Sequence, residues 1–194
     1  MPIKVAIENN IEGRSLAWVL DTPGCFAYGS EEAEALIRVP QALLSFKGWL
    51  DGSCEDSWLK DLKDFDIRLV ESFRAYKVDD SLQPDENGGL EVNAWFHHDW
   101  LPISSKEFER GLTVVRLAHN DLREMTAALN PAQLDQTYEG ERWSIHGILD
   151  HVGTAEWWYL SRLGLADCER KALPSDEFER MQYTLDNLSK VMPE

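Results

Sequence analysis

The hydrophobic positions change period about halfway along the chain. In the first hundred residues they come in short runs. Lys4-Val5-Ala6-Ile7 predicts a short strand. Residues 15–20 (SLAWVL) and 25–28 (CFAY) are apolar and aromatic, with Asp21-Thr22-Pro23-Gly24 between them. That is turn chemistry, so the two runs predict a hairpin with a four-residue loop. Ser30 stands ahead of Glu31, Glu32 and Glu34, which predicts a helix opened by a hydroxyl cap and acids in the first turn. Ala35, Leu36, Val39, Leu43 and Phe46 carry that helix at a spacing of three and four. Pro40 is expected to kink or interrupt it, and Gly48 and Gly52 to weaken its end. Residues 67–73 and 90–96 alternate as strands do, and residues 79–89 (DDSLQPDENGG) predict a surface loop between them. Residues 1–100 thus predict a small β-β-β-α-β-β module.

Past a hinge at Leu101-Pro102 the period becomes helical. Ser104 and Glu107 have capping-box spacing. Phe108, Leu112, Val115, Leu122, Met125 and Leu129 follow on one face, and Asn130-Pro131 is expected to end the helix. Ser144 caps the next helix. Its buried stripe is read as Ile145, Ile148, Leu149, Val152, Tyr159, Leu160 and Leu163, with Gly164 as its stop. A third helix follows Pro174 and Ser175, with Phe178, Met181, Leu185, Leu188 and Met192 on its seam. The pattern as a whole predicts an α+β chain: a β-rich module over 1–100 and an up-down helical bundle over 101–194.

Composition narrows the functions open to it. The 194 residues hold 19 Lys+Arg and 35 Asp+Glu, a net charge of −16. Both halves are acidic and neither has a basic stripe, which disfavours nucleic acid and anionic membranes as partners. No apolar run approaches the roughly 20 residues of a membrane span. The opening residues lack the basic-then-apolar pattern of a signal peptide. The three cysteines (Cys25, Cys54, Cys168) are far apart and read as reduced thiols of a cytoplasmic protein.

No Gly-rich phosphate loop or GxSxG elbow is present, so the candidate chemistry is histidine and carboxylate on the helices. On helical spacing His119 lies between Val115 and Leu122 in the middle of an apolar stripe. Glu156 lies between Val152 and Tyr159, and His151 at that stripe's edge. Inward polar groups from neighbouring helices can hold a metal in a bundle, and this donor set suits zinc, nickel or iron(II). The competing reading of each is structural: a hydrogen-bonded core histidine, and a glutamate paired with Arg116 or Arg162. His97 and Asp99 would share one face of a strand end. His146, next to its helix cap, is expected to face solvent. Trp95, Trp100, Trp143, Trp157 and Trp158 are read as packing at an interface.

Two stretches resemble known families. Residues 15–36 (SLAWVLDTPGCFAYGSEEAEAL) are similar to the HicB-like antitoxin domain, through Pro23, Gly24, Cys25, Gly29, Glu32 and Ala33. That resemblance implies a small βββα-type fold and a role in binding a toxin. Residues 104–164, above all RWSIHGILDHVGTAEWWYL, resemble the DinB-like family through Trp143, Ser144 and His151. This implies a four-helix bundle with a divalent metal on three histidines, used by some members to transfer or isomerise small thiols. It makes His151 the leading ligand. The family's His-x-x-x-His pair has no counterpart in residues 152–194, so the expected bundle is incomplete, with three helices, and any metal would fall to His151, His119 and Glu156. Three functions follow as expectations. The first is a bundle without its metal site, acting as an interaction module and pairing as a homodimer or with another protein. The second is a metal-dependent thiol transferase or hydrolase using His151. The third is an acidic antitoxin-type binder.

Overall fold

The computed structural model describes residues 2–190; Met192, placed by the sequence on the last helical seam, lies outside them. Among the described residues the fold is mixed α+β, with five α-helices, a four-stranded sheet and a two-stranded sheet. The chain divides into two compact units, Met1–Pro102 and Ile103–Glu194. No helix among the described residues is long and apolar enough to cross a membrane.

In the first unit, β1 (Pro2–Ile11), β2 (Arg14–Val19) and β3 (Phe26–Gly29) form two successive hairpins. The second closes as expected: Val19 N donates to Cys25 O and Cys25 N to Thr22 O, both at 3.0 Å. Helix α1 (Glu32–Ser53) then crosses the sheet, and β4 (Asp66–Arg74) pairs parallel to β1, giving the order β3-β2-β1-β4. Parallel neighbours need such a crossover, because no tight turn can join them. Val5, Ile7, Ala17, Val19 and Ala27 share the sheet face on which Ala35, Val39, Leu43 and Leu50 of α1 are buried. The helix start lies directly on bare backbone: a Cβ at Gly29 would sit 2.3 Å from the Ala35 nitrogen. In β4, Leu69 pairs with Val5 but Glu71 with Ala6, so Val70 is an extra residue, a β-bulge.

Several sequence expectations shift here. Ser30 does not cap α1. Glu31 is the cap residue, without a side-chain cap bond, and the Ser30 amide and hydroxyl donate to Glu34 at 2.7 and 2.6 Å. Pro40 does not interrupt α1. It removes only one donor, and the buried Val39 and Leu43 hold the helix to the sheet on either side of it. A further strand, β5 (Tyr76–Val78), pairs with β6 (Leu90–Val92). The strand expected over 90–96 stops at Val92 because the chain turns onto two sheet carboxylates. Ala94 N donates to the buried Glu8 at 2.6 Å, and His97 N to Glu71 at 2.8 Å. Residues 97–100 form a 3-10 turn closed by Phe96 N donating to Asp99 at 2.9 Å. The strand face expected to join His97 and Asp99 is therefore not formed.

In the second unit, α2 (Ser105–Thr126) opens on the expected capping box of Ser104 and Glu107. The helix ends at Thr126, short of the Asn130-Pro131 stop and leaving Leu129 outside it; Asn130 instead caps another helix, α3 (Pro131–Asp135). Ser144 caps α4 (Ile145–Arg162) by accepting from Gly147 N at 3.1 Å. After Pro174 and Ser175, Asp176 caps α5 (Glu177–Ser189). Leu149, Leu160, Met181 and Leu185 form the centre of the packing.

The long helices do not alternate in direction. Contacts along α4 and α5 advance together, His146 with Glu177 and then Asp150 with Arg180, so these two run parallel. His119 meets Glu156 and Arg123 meets Phe178, which runs α2 against both. The up-down order expected for the bundle gives way because the connection over 163–176 is long. Its full reach of about 46 Å exceeds the roughly 27 Å length of α4. Trp157 donates to the Cys168 carbonyl at 3.2 Å and the Tyr183 hydroxyl to Asp167, tying that connection down.

Candidate functional site

The α2 stripe of Phe108, Leu112, Val115, His119 and Leu122 recurs every three or four residues, and His119 occupies a place that a leucine would fill. It is only 7% exposed. Facing it, Leu149, Gly153, Glu156 and Leu160 form the inward stripe of α4, again with one polar member. His119 Nε2 donates to Glu156 Oε1 at 2.7 Å. A carboxylate only accepts, so the ring carries its proton on Nε2. Glu156 Oε2 is also buried, and no group among the described residues bonds it. The Thr184 hydroxyl of α5 is in the same condition. The partner of Glu156 is therefore His119, not the arginines the sequence suggested; the Arg162 guanidinium lies 5.0 Å over the Trp158 ring instead.

His151 is not part of this pair. It is exposed, and its ring lies 4.5 Å from that of Trp143 at a tilt of 38°. The structure thus brings two of the three sequence-nominated ligands together, His119 and Glu156, and leaves His151 on another face. Among the described residues no three His, Cys, Asp or Glu side chains gather as a metal would require. His119 and Glu156 already satisfy each other at hydrogen-bond distance, which does not fit the three or four converging donors of a divalent site.

A second cluster escaped sequence reasoning. His146 is half exposed, but both ring nitrogens are engaged. Nδ1 donates to Asp135 of α3 at 2.8 Å and Nε2 to Glu177 of α5 at 2.7 Å. A carboxylate on each ring nitrogen favours the doubly protonated ring. Hydrogen bonds from Asp135 and then Glu177 raise its pKa above the usual 6.5. Arg180 continues the network, bonding Asp150 at 2.6 Å and lying 3.9 Å from Glu177. The partners of His146 lie 11 and 31 residues away, so no local spacing could announce them.

The apolar residues of α4 divide into two faces. Leu149 and Leu160 are buried as expected. Ile148, Tyr159 and Leu163, which the sequence placed on the same stripe, are exposed. Ile148, Val152, Ala155 and Tyr159 follow an i, i+4, i+7, i+11 spacing that defines a second stripe, about 100° around the helix from the buried one. Trp158 flanks it, also exposed.

The first unit offers less chemistry. Trp95 and Trp100 are exposed and packed on each other at 5.3 Å. A polar hollow of about 480 Å³ at the start of α1 is lined by Asn9, Ser15 and Glu32 among others, and these bond one another or Ser72. All three cysteines are free, and burial pushes the Cys25 thiol up to about 12, far from a thiolate nucleophile. No family model, curated protein or solved structure matches this chain.

Proposed function

We propose that the chain is an acidic interaction module: a HicB-like α/β unit followed by a DinB-like bundle that binds a protein partner rather than performing metal chemistry. The observation that carries this reading is the second apolar face of α4. A helix apolar on two faces is built to be covered on both. The first unit supports its half of the reading through Pro23, Gly24 and Cys25 in the hairpin turn and Gly29 under α1. In the second, support comes from Ser144 as the cap of α4, with Trp143 before it and His151 within the helix.

The test is metal uptake. Purified protein is dialysed against zinc, nickel, manganese or iron(II) at neutral pH and measured by elemental analysis, beside His151→Ala and Glu156→Gln. The interaction reading expects no stoichiometric metal in any of the three. Near-stoichiometric metal in the wild type that is lost in either variant overturns it in favour of a small-molecule transferase or hydrolase. What favours that second reading is the buried Glu156 Oε2, which no group among the described residues bonds.

A further inference from the structure

We infer that His146 is a proton-operated latch for α3: its doubly protonated ring holds that short helix against α4 and α5, and the neutral ring lets it go. The helix has little else to hold it. Of its residues only Leu134 is half-buried; Pro131, Ala132, Gln133 and Asp135 are exposed. One partly buried leucine does not offset the entropy of ordering residues 127–143, the connection that carries α3 from α2 to α4. Among the described residues, the only side-chain hydrogen bond that joins α3 to another helix runs from His146 Nδ1 to Asp135, at 2.8 Å.

Two carboxylates share the ring, since Nε2 bonds Glu177 of α5 at 2.7 Å. A neutral imidazole keeps one hydrogen, so it donates to one carboxylate and turns a lone pair to the other. Exposure decides which bond is lost. The Glu177 side chain is 15% exposed and that of Asp135 64%. Water replaces the ring at Asp135 with little loss, whereas an abandoned Glu177 would be a largely buried charge without its hydrogen bond. Arg180 does not take Glu177 over from the ring: it lies 3.9 Å away and is committed to Asp150 at 2.6 Å. The charged groups around the latch are thus Asp135 from α3, Glu177 and Arg180 from α5, and Asp150 of α4 beyond Arg180. The bonds from Asp135 and then Glu177 hold the ring's pKa above the usual 6.5. Docking is therefore complete below about pH 6.5 and fades as pH rises through the folded value. Histidine is the side chain whose charge changes in this range, so the rest of the unit keeps its charges while α3 is released.

The experiment follows leucine methyl groups and histidine rings of the full chain by NMR, from about pH 6 to about pH 9. The Leu134 methyls are expected to pass from a docked position to the shift and mobility of a free leucine, with the same midpoint as the His146 ring. The methyls of Leu149 and Leu185, in the buried centre of the unit, are expected to stay in place. In His146→Ala, Leu134 should read as free at every pH. Asp135→Ala changes only an exposed position and carries the test if the first variant disturbs the core. It should free Leu134 throughout and lower the His146 midpoint, because Asp135 is the stronger of the ring's two partners. Leu134 methyls that do not move while the ring titrates overturn the inference. So does an Asp135→Ala variant that keeps Leu134 docked, or one that leaves the His146 midpoint at its wild-type value.

Discussion

Glu156 sits on the inward stripe of α4 and reaches one hydrogen bond, to the buried His119. Glu156→Ala removes the acceptor and leaves the His119 Nε2–H buried without a partner. The expected loss is about 1–3 kcal/mol of stability, read as a lower urea midpoint at unchanged slope. The sequence made half of this pair legible. Helical spacing put His119 and Glu156 on inward stripes, because one helix's faces follow from counting residues. It could not choose which inward group of α2 would meet which of α4, since that depends on the relative height and direction of two helices. Arg116 and Arg162 were equally admissible by spacing. His151 entered the ligand set through the DinB-like resemblance, and its ring instead lies against Trp143 on another side of α4.

At the level of elements, the glycines of α1 and α4 test how tightly each helix is packed. A Cβ on Gly48 meets nothing within 4 Å, so Gly48→Ala is expected to raise stability by up to about 1 kcal/mol through helix propensity. A Cβ on Gly153 would lie 3.2 Å from the Glu177 carbonyl and from Arg180 Cβ. Backbone cannot swing aside, so Gly153→Ala is expected to lower the thermal midpoint although it favours the helix. His146 supplies an element-scale pH dependence. Its folded pKa lies above the unfolded 6.5, so its contribution is full below about pH 6.5 and is lost as pH rises through the folded value. Denaturation midpoints of wild type and His146→Gln should differ at pH 6 and converge in alkali, with less difference in high salt because the ring is half exposed. Elements with strong local signals were legible in advance: the hairpin turn at 21–24, the Ser104–Glu107 box, the Ser144 cap. Those missed were short or ambiguous. β5 spans three residues, too few to show a period. Asn130-Pro131 reads equally as a helix stop and as the cap and first residue of the next helix; it serves as the latter, α2 having already ended at Thr126.

For the whole molecule, the division at Pro102 and Ile103 makes a direct claim about cleavage. Residues 101–107 are all exposed, so limited proteolysis is expected to cut there first and leave two protected fragments of roughly equal mass. First cuts inside α1 or α4 would show that the chain does not behave as two units. The α+β class was legible because short strand-like runs dominate the first hundred residues, with one helix among them, and helical spacing alone follows. The direction of α5 was not, because it follows from the length of a connection that has no pattern of its own.

The extra residue at Val70 reaches beyond the strand that holds it. β4 is the long outer strand of the sheet, and an outer strand offers its free amides and carbonyls to any chain that can match their spacing. The one-residue step at Val70 breaks that spacing near the middle of the strand, so an incoming strand would have to carry the same irregularity at the same height. The step is thus a built-in obstacle to edge-on stacking of one copy on the next.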